Sequence, residues 1–172
     1  GLIELIDMAH QQVAAIETTA TGSQSPASTL VSAELTETQV HIVSVGDSRA
    51  YLYDDGQLTQ LTVDDTVAED MVTSGLLDPK DRESHPMSNA LTKAIGRTST
   101  QDVTPAVKSF APAQDQVLLL CSDGVYAGLD ESDLGALIES AATDDLATYL
   151  VQAAVDRKVN DDITAVTVIF GN

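Results

Sequence analysis

LLLCSDGVYAGL, residues 118–129, runs an aliphatic stretch straight into an aspartate and a glycine. The aliphatic part reads as a buried strand. A strand of this kind that ends in Ser-Asp-Gly presents the Asp123 carboxylate where the sheet stops, and Gly124 lets the backbone turn without a side chain blocking what the carboxylate faces. That arrangement suits a hard cation; the alternative is an aspartate that caps the next turn.

The pattern on either side gives the fold class. Downstream, LDESDLGALIESA offers Asp130 as the N-cap of a helix with acids in its first turn, and ATDDLATYLVQAAVDR offers Thr143 as the cap of a second. The strand DITAVTVIF, residues 162–170, closes the chain. Upstream, strand signals cover 115–121 and 102–109, preceded by an irregular stretch, 64–95, in which TVAEDMVTSGLL forms a short helix ending at Gly75 and DPKDRESHP a polar connection. STLVSAEL, VHIVSVG and AYLYDDGQLTQLT are short β runs, and Asp55-Gly56 between alternating segments marks a hairpin. LIELIDMAHQQVAAIE, residues 2–17, places Leu2, Leu5, Ile6, Ala9, Val13 and Ile16 at helical spacing, so a helix runs to about Glu17 or Thr18 before the loop TTATGSQSP. Strands and helices come in blocks, which predicts an α+β fold with antiparallel sheets in one domain.

Composition narrows the function classes. The 172 residues carry 27 acidic and 8 basic side chains, a formal charge of −19, which excludes nucleic-acid binding through a basic face and makes cations the natural partners. Most of these acids form a solvated surface, and an acid excess also suits adaptation to salt. No run of about 18 apolar residues is present and no signal peptide is visible, so the expected location is cytosolic. Cys121 is the single cysteine, an inert core thiol with no disulfide partner. His10, His41 and His85 show no metal-ligand spacing and read as surface or packing residues.

Two further places concentrate acids. In VNDDITAVTVIF, Asp161 and Asp162 open the last strand as neighbouring like charges, a conflict that a cation resolves and that a solvated loop also tolerates. In VGDSRAYLYDDGQLTQLTVDD, residues 45–65, Gly46-Asp47-Ser48-Arg49 reads as a tight turn with Asp47 and Arg49 as structural anchors, and Asp64 and Asp65 open the irregular insert.

Taken together, these segments resemble the metal-dependent protein serine/threonine phosphatases of the 2C type in their compact bacterial form. VGDSRAYLYDDGQLTQLTVDDT is similar to that family's Gly-Asp-Ser-Arg strand pair and hairpin, ALTKAIGRT to the segment after its flap, VLLLCSDGV to its Ser-Asp-Gly metal motif, NDDITAVTVI to its closing Asp-Asn-Ile-Thr strand and SPASTLVSAEL to its Gly-Thr-Thr strand. The resemblance covers essentially the whole chain. It implies a four-layer αββα sandwich of two antiparallel sheets flanked by helices, N-terminally incomplete. Asp123 and Asp161 would hold a pair of Mn²⁺ or Mg²⁺ ions with the Gly124 backbone beside them, and Asp64 would help hold a third. Residues from about 66 to 92 would be a flap. The implied reaction is attack of metal-activated water on phosphoserine or phosphothreonine in a protein, with a serine/threonine kinase as a further partner.

The family's Asp-Gly-x-Gly-Gly motif, whose aspartate bridges the ions, precedes the first helix and has no match in these residues; Asp162 stands where asparagine is usual, and Ala27 where glycine is. Without the bridge, Asp123 and Asp161 form a half-site. Missing strands would leave sheet edges that invite association. The competing readings are an inactive regulator of the same fold that binds a kinase or phosphoprotein, and a salt-adapted acidic domain with no site.

Overall fold

The computed structural model describes residues 1–16, 26–97, 103–141 and 145–171. Its elements follow in the order α1 (Leu2–Ala14), β1 (Leu30–Leu35), β2 (Val40–Val45), β3 (Arg49–Asp54), β4 (Gln57–Gln60), α2 (Val67–Thr73), a 3₁₀ turn (Pro79–Asp81), β5 (Ala106–Phe110), β6 (Val117–Cys121), α3 (Asp123–Tyr126), α4 (Glu131–Ser140), α5 (Leu146–Asp156) and β7 (Ala165–Ile169). The strands form two sheets, β1-β2-β5 and β4-β3-β6-β7. The second is antiparallel throughout, with Tyr51 opposite Leu119 and Leu119 opposite Thr167. β1 and β2 are joined by a turn in which the Thr36 amide donates to the Gln39 carbonyl at 2.9 Å, which sets them antiparallel. The expected α+β class with two antiparallel sheets flanked by helices is what the structure has.

The chain divides into two compact units. One comprises Gly1–Leu30, Val43–Asp47 and Val63–Val107, the other Val31–Ile42, Ser48–Thr62 and Lys108–Asn172. In the second unit β6 explains the opening motif, because both of its faces are covered. Leu118 and Leu120 join Val40, Ile42 and Ala50 in a core between the sheets, where Phe110 and Phe170 meet edge to face at 6.2 Å. Val117, Leu119 and Cys121 point the opposite way into a core with Val125, Leu129, Leu134, Ile138, Leu146 and Leu150. A strand buried on both faces has no polar side to alternate with, hence the unbroken aliphatic run. Asp55 and Gly56 both take positive φ, 45° and 82°, the backbone that a two-residue hairpin turn requires.

In the first unit Ile6 of α1 packs with Val43, Val45, Ile95 and Val103. α1 is shorter than its periodicity predicts: it stops at Ala14, and the Ile16 amide turns tightly onto the Val13 carbonyl. Glu17 and Thr18 lie outside the described residues. Leu5 and Ile16 are 61% and 55% exposed, so they do not share the buried stripe of Ile6, Leu2, Ala9 and Val13. The insert expected at 64–95 holds α2, capped by Thr66 and followed by Gly75 at φ 75°, and its base is closed by a bridge between Thr66 and Leu91.

Three further expectations change. α5 is capped by Asp145, whose carboxylate accepts from the Thr148 amide at 3.1 Å, in place of Thr143, which lies outside the described residues. β7 begins at Ala165, later than Asp162, because residues 162–164 are occupied with side-chain and backbone bonds to Ser122. α3 was not expected at all. Asp130 caps α4 as predicted, accepting from the Asp133 amide at 2.8 Å.

Candidate metal centre

At the end of β6, Ser122 leaves the strand and becomes the N-cap of α3, so Asp123 is that helix's first residue. Ser122 is pinned to the segment before β7. Its amide donates to the Thr164 carbonyl at 3.0 Å, its hydroxyl donates to the Asp162 carbonyl at 3.2 Å, and that hydroxyl accepts from the Thr164 amide at 3.0 Å. Gly124 permits this approach: a Cβ there would lie 2.5 Å from the Asp162 carbonyl oxygen and 3.0 Å from Ile163. Any side chain at 124 would push the two segments apart.

The pinning sets Asp161 beside Asp123. Burial pushes the Asp123 carboxyl above the usual carboxylate range, the Asp161 charge pushes it further, and the Gly124 amide bond opposes both. Each carboxylate has one oxygen bonded to the next backbone amide, Asp123 to Gly124 at 3.0 Å and Asp161 to Asp162 at 2.7 Å. The second oxygen of each is the hard, anionic ligand that Mg²⁺ or Mn²⁺ takes, and a cation relieves the repulsion between them. In donor chemistry this pair fits a divalent ion. Among the described residues no group of three or more His, Cys, Asp or Glu side chains is placed to hold one.

Asp64 is buried in the first unit, 7% exposed. Asp65, its neighbour, is a structural clamp: its carboxylate accepts from the Gly46 amide at 2.9 Å and pairs with Lys93 at 2.8 Å, while its backbone carbonyl accepts from the Thr92 amide at 2.8 Å. Asp47 and Arg49 are 8% and 4% exposed. The Arg49 guanidinium donates to the Tyr51 phenol at 2.9 Å and lies over the Tyr126 ring at 3.7 Å from its centre. Burial pushes the Tyr51 phenol up, with Arg49 opposing. Each histidine makes a hydrogen bond: His10 accepts from the Gly96 amide, His41 pairs with Ser109 and His85 accepts from the Met87 amide.

Residues 3–165 match the family described as protein phosphatase 2C. This chain belongs to that family. Among its relatives, the serine/threonine phosphatase stp of Listeria monocytogenes is 33% identical over 141 residues, which are 81% of this chain and 55% of the relative. The serine/threonine phosphatase of S. agalactiae has the same fold, with a TM-score of 0.87 at 22% identity over 98% of this chain and 69% of that one. The catalytic domain of the serine/threonine protein phosphatase PstP, solved in complex with 2 manganese ions, aligns with a TM-score of 0.72 at 26% identity, covering 85% of this chain and 60% of that one. The chain spans about half the length of the Listeria relative, 55%. No helix among the described residues is long and apolar enough to cross a membrane.

Proposed function

We propose that this chain forms part of a catalytic domain that hydrolyses phosphoserine and phosphothreonine in proteins, with Asp123 and Asp161 holding Mn²⁺ or Mg²⁺. The observation that carries the reading is the pinned pair of carboxylates at the end of β6, in a chain of the phosphatase 2C family. When bound, a divalent ion there lowers the pKa of water and offsets charge on the phosphoryl oxygens.

The chain's own residues supply the frame. β6 fixes Ser122, Ser122 and Gly124 hold the 162–164 segment close, and the two carboxylates are thereby set side by side. Gly124 contributes backbone next to the site and Asp64 a ligand for a further ion. Residues 66–92 act as the flap that meets the phosphoprotein, in a cytosolic signalling role opposite a serine/threonine kinase. None of the relatives described above is named as an inactive regulator.

The test is Mn²⁺-dependent phosphate release from a phosphothreonine peptide, with Asp123→Asn in parallel. Release that requires both the metal and Asp123 is expected, with the circular dichroism of the variant unchanged. Release indifferent to Mn²⁺, or retained in Asp123→Asn, overturns the assignment.

A further inference from the structure

We propose that Arg49 is a positioning residue for Asp123 and acts through Tyr126, whose ring it clamps at the far end of α3. The inference rests on the metal reading above and concerns how the ligand is held. All the residues involved lie in the second unit.

α3 is one turn, Asp123–Tyr126. A helix this short has no stability of its own, since a first turn fixes several dihedrals in exchange for a single hydrogen bond. Its geometry is therefore set by its surroundings, the core around the fully buried Val125 and the contacts at its two ends. At the start, Ser122 is bonded to Asp162 and Thr164. At the end, Tyr126 lies under the Arg49 guanidinium, 3.7 Å from carbon to ring centre. Residues three apart on a helix lie on the same side, so the ring at 126 and the carboxylate at 123 move together.

Arg49 is itself fixed. It opens β3 opposite Cys121, is 4% exposed and donates to the Tyr51 phenol at 2.9 Å. A guanidinium removed from water keeps its place through hydrogen bonds and the faces of aromatic rings, and its flat shape is what lets it stack. Lysine keeps the charge and loses the stack. With the stack gone, α3 keeps its Ser122 end and its buried Val125 but loses the contact on Tyr126, and the Asp123 carboxylate ranges over more orientations. An ion then has to order the ligand as it binds.

The experiment is isothermal titration of Mn²⁺ into this chain and its variants, with hydrolysis measured across Mn²⁺ concentration. Arg49→Lys and Tyr126→Leu are expected to weaken Mn²⁺ about tenfold, the scale of losses seen when a group supporting a metal ligand is removed. Tyr126→Phe, which keeps the ring, is expected to keep the affinity. Hydrolysis by the weakened variants should recover as Mn²⁺ is raised, which a general loss of fold would not produce. Leu150→Ala, a core change on α5, controls for instability and should bind as wild type below its melting midpoint. Wild-type affinity in both Arg49→Lys and Tyr126→Leu, with loss in Asp123→Asn, overturns the positioning role and leaves the metal reading standing. Equal loss in Leu150→Ala overturns it too. Undiminished binding by Asp123→Asn overturns the metal reading and this inference with it. Should Arg49→Lys fold poorly, Tyr126→Leu carries the test, because Tyr126 is only half-buried.

Discussion

Around Asp123 the backbone is fixed by apolar burial on both faces of β6, with Leu118 and Leu119 fully buried on opposite sides, and polar contacts serve only to align the strand's end. Residues 66–92 are organised the other way round. Their helix α2 buries Ala68, and much else that holds the segment is polar: the Thr66 cap on Glu69, the Glu69–Arg82 ion pair at 2.8 Å, and the Asp65–Lys93 pair at 2.8 Å beside its base. Burial gives a position that little short of unfolding can change. Ion pairs and caps give a position that opens locally at far lower cost. On the proposed function, a ligand pair held in place beforehand and a segment that meets varied substrates would call for these two kinds of construction respectively.

The sharpest way to break the contrast is Leu119→Ala, expected to cost about 3–4 kcal/mol in urea unfolding as a cavity opens behind β6. A loss confined to about 1 kcal/mol would mean that β6 is not the rigid member of the pair. Next comes Tyr51→Phe, which leaves the buried Arg49 one acceptor short and should cost about 1–2 kcal/mol at neutral pH. It also has a signature in alkali. Because burial raises the Tyr51 phenol in the folded chain, the unfolded chain loses its proton first, so stability is intact below about pH 10 and falls above it. The phenylalanine variant should show a shallower alkaline limb in a pH series of melting curves.

Smaller effects are expected in the insert. Arg82→Met should lower the cost of opening the insert by about 0.5–1 kcal/mol or less, and in the wild type high salt should mimic it in part. Its clearer consequence is faster proteolytic cleavage within residues 66–92 at an unchanged global unfolding midpoint. A matching fall in that midpoint would mean that the insert and the rest unfold as one. The smallest change has the opposite sign. Without added metal, Asp123→Asn should raise the melting midpoint slightly: the folded chain holds the Asp123 proton more tightly than the unfolded one, so wild-type stability declines as pH rises through that group's titration. The variant should be flatter over the same range.

What the sequence disclosed follows the same division. The β6 run, the Asp55-Gly56 turn and the Asp130 cap were legible because each is set by neighbours in the chain: burial, positive φ and a carboxylate next to free amides. The Asp123–Asp161 pair was legible through motif resemblance and not through spacing, since 38 positions separate them in the sequence. α3 was invisible because one turn leaves no periodicity to read. The early end of α1 and the exposure of Leu5 were hidden because helical spacing says which residues share a face but not which face finds a partner. Asp65 as a clamp and Arg49 over Tyr126 depend on contacts 19 and 77 positions apart, which no local pattern encodes.

The lone cysteine gives this architecture a clock. Cys121 is in no disulfide, is 2% exposed, and sits between Arg49 on one side and Ala165 on the other, two positions before Asp123. A maleimide can reach its sulfur only after β6 has parted from its neighbours. The rate of thiol labelling in the native protein therefore times the opening of the strand that leads into Asp123, and slowing of that rate by Mn²⁺ would report the ion holding the strand shut.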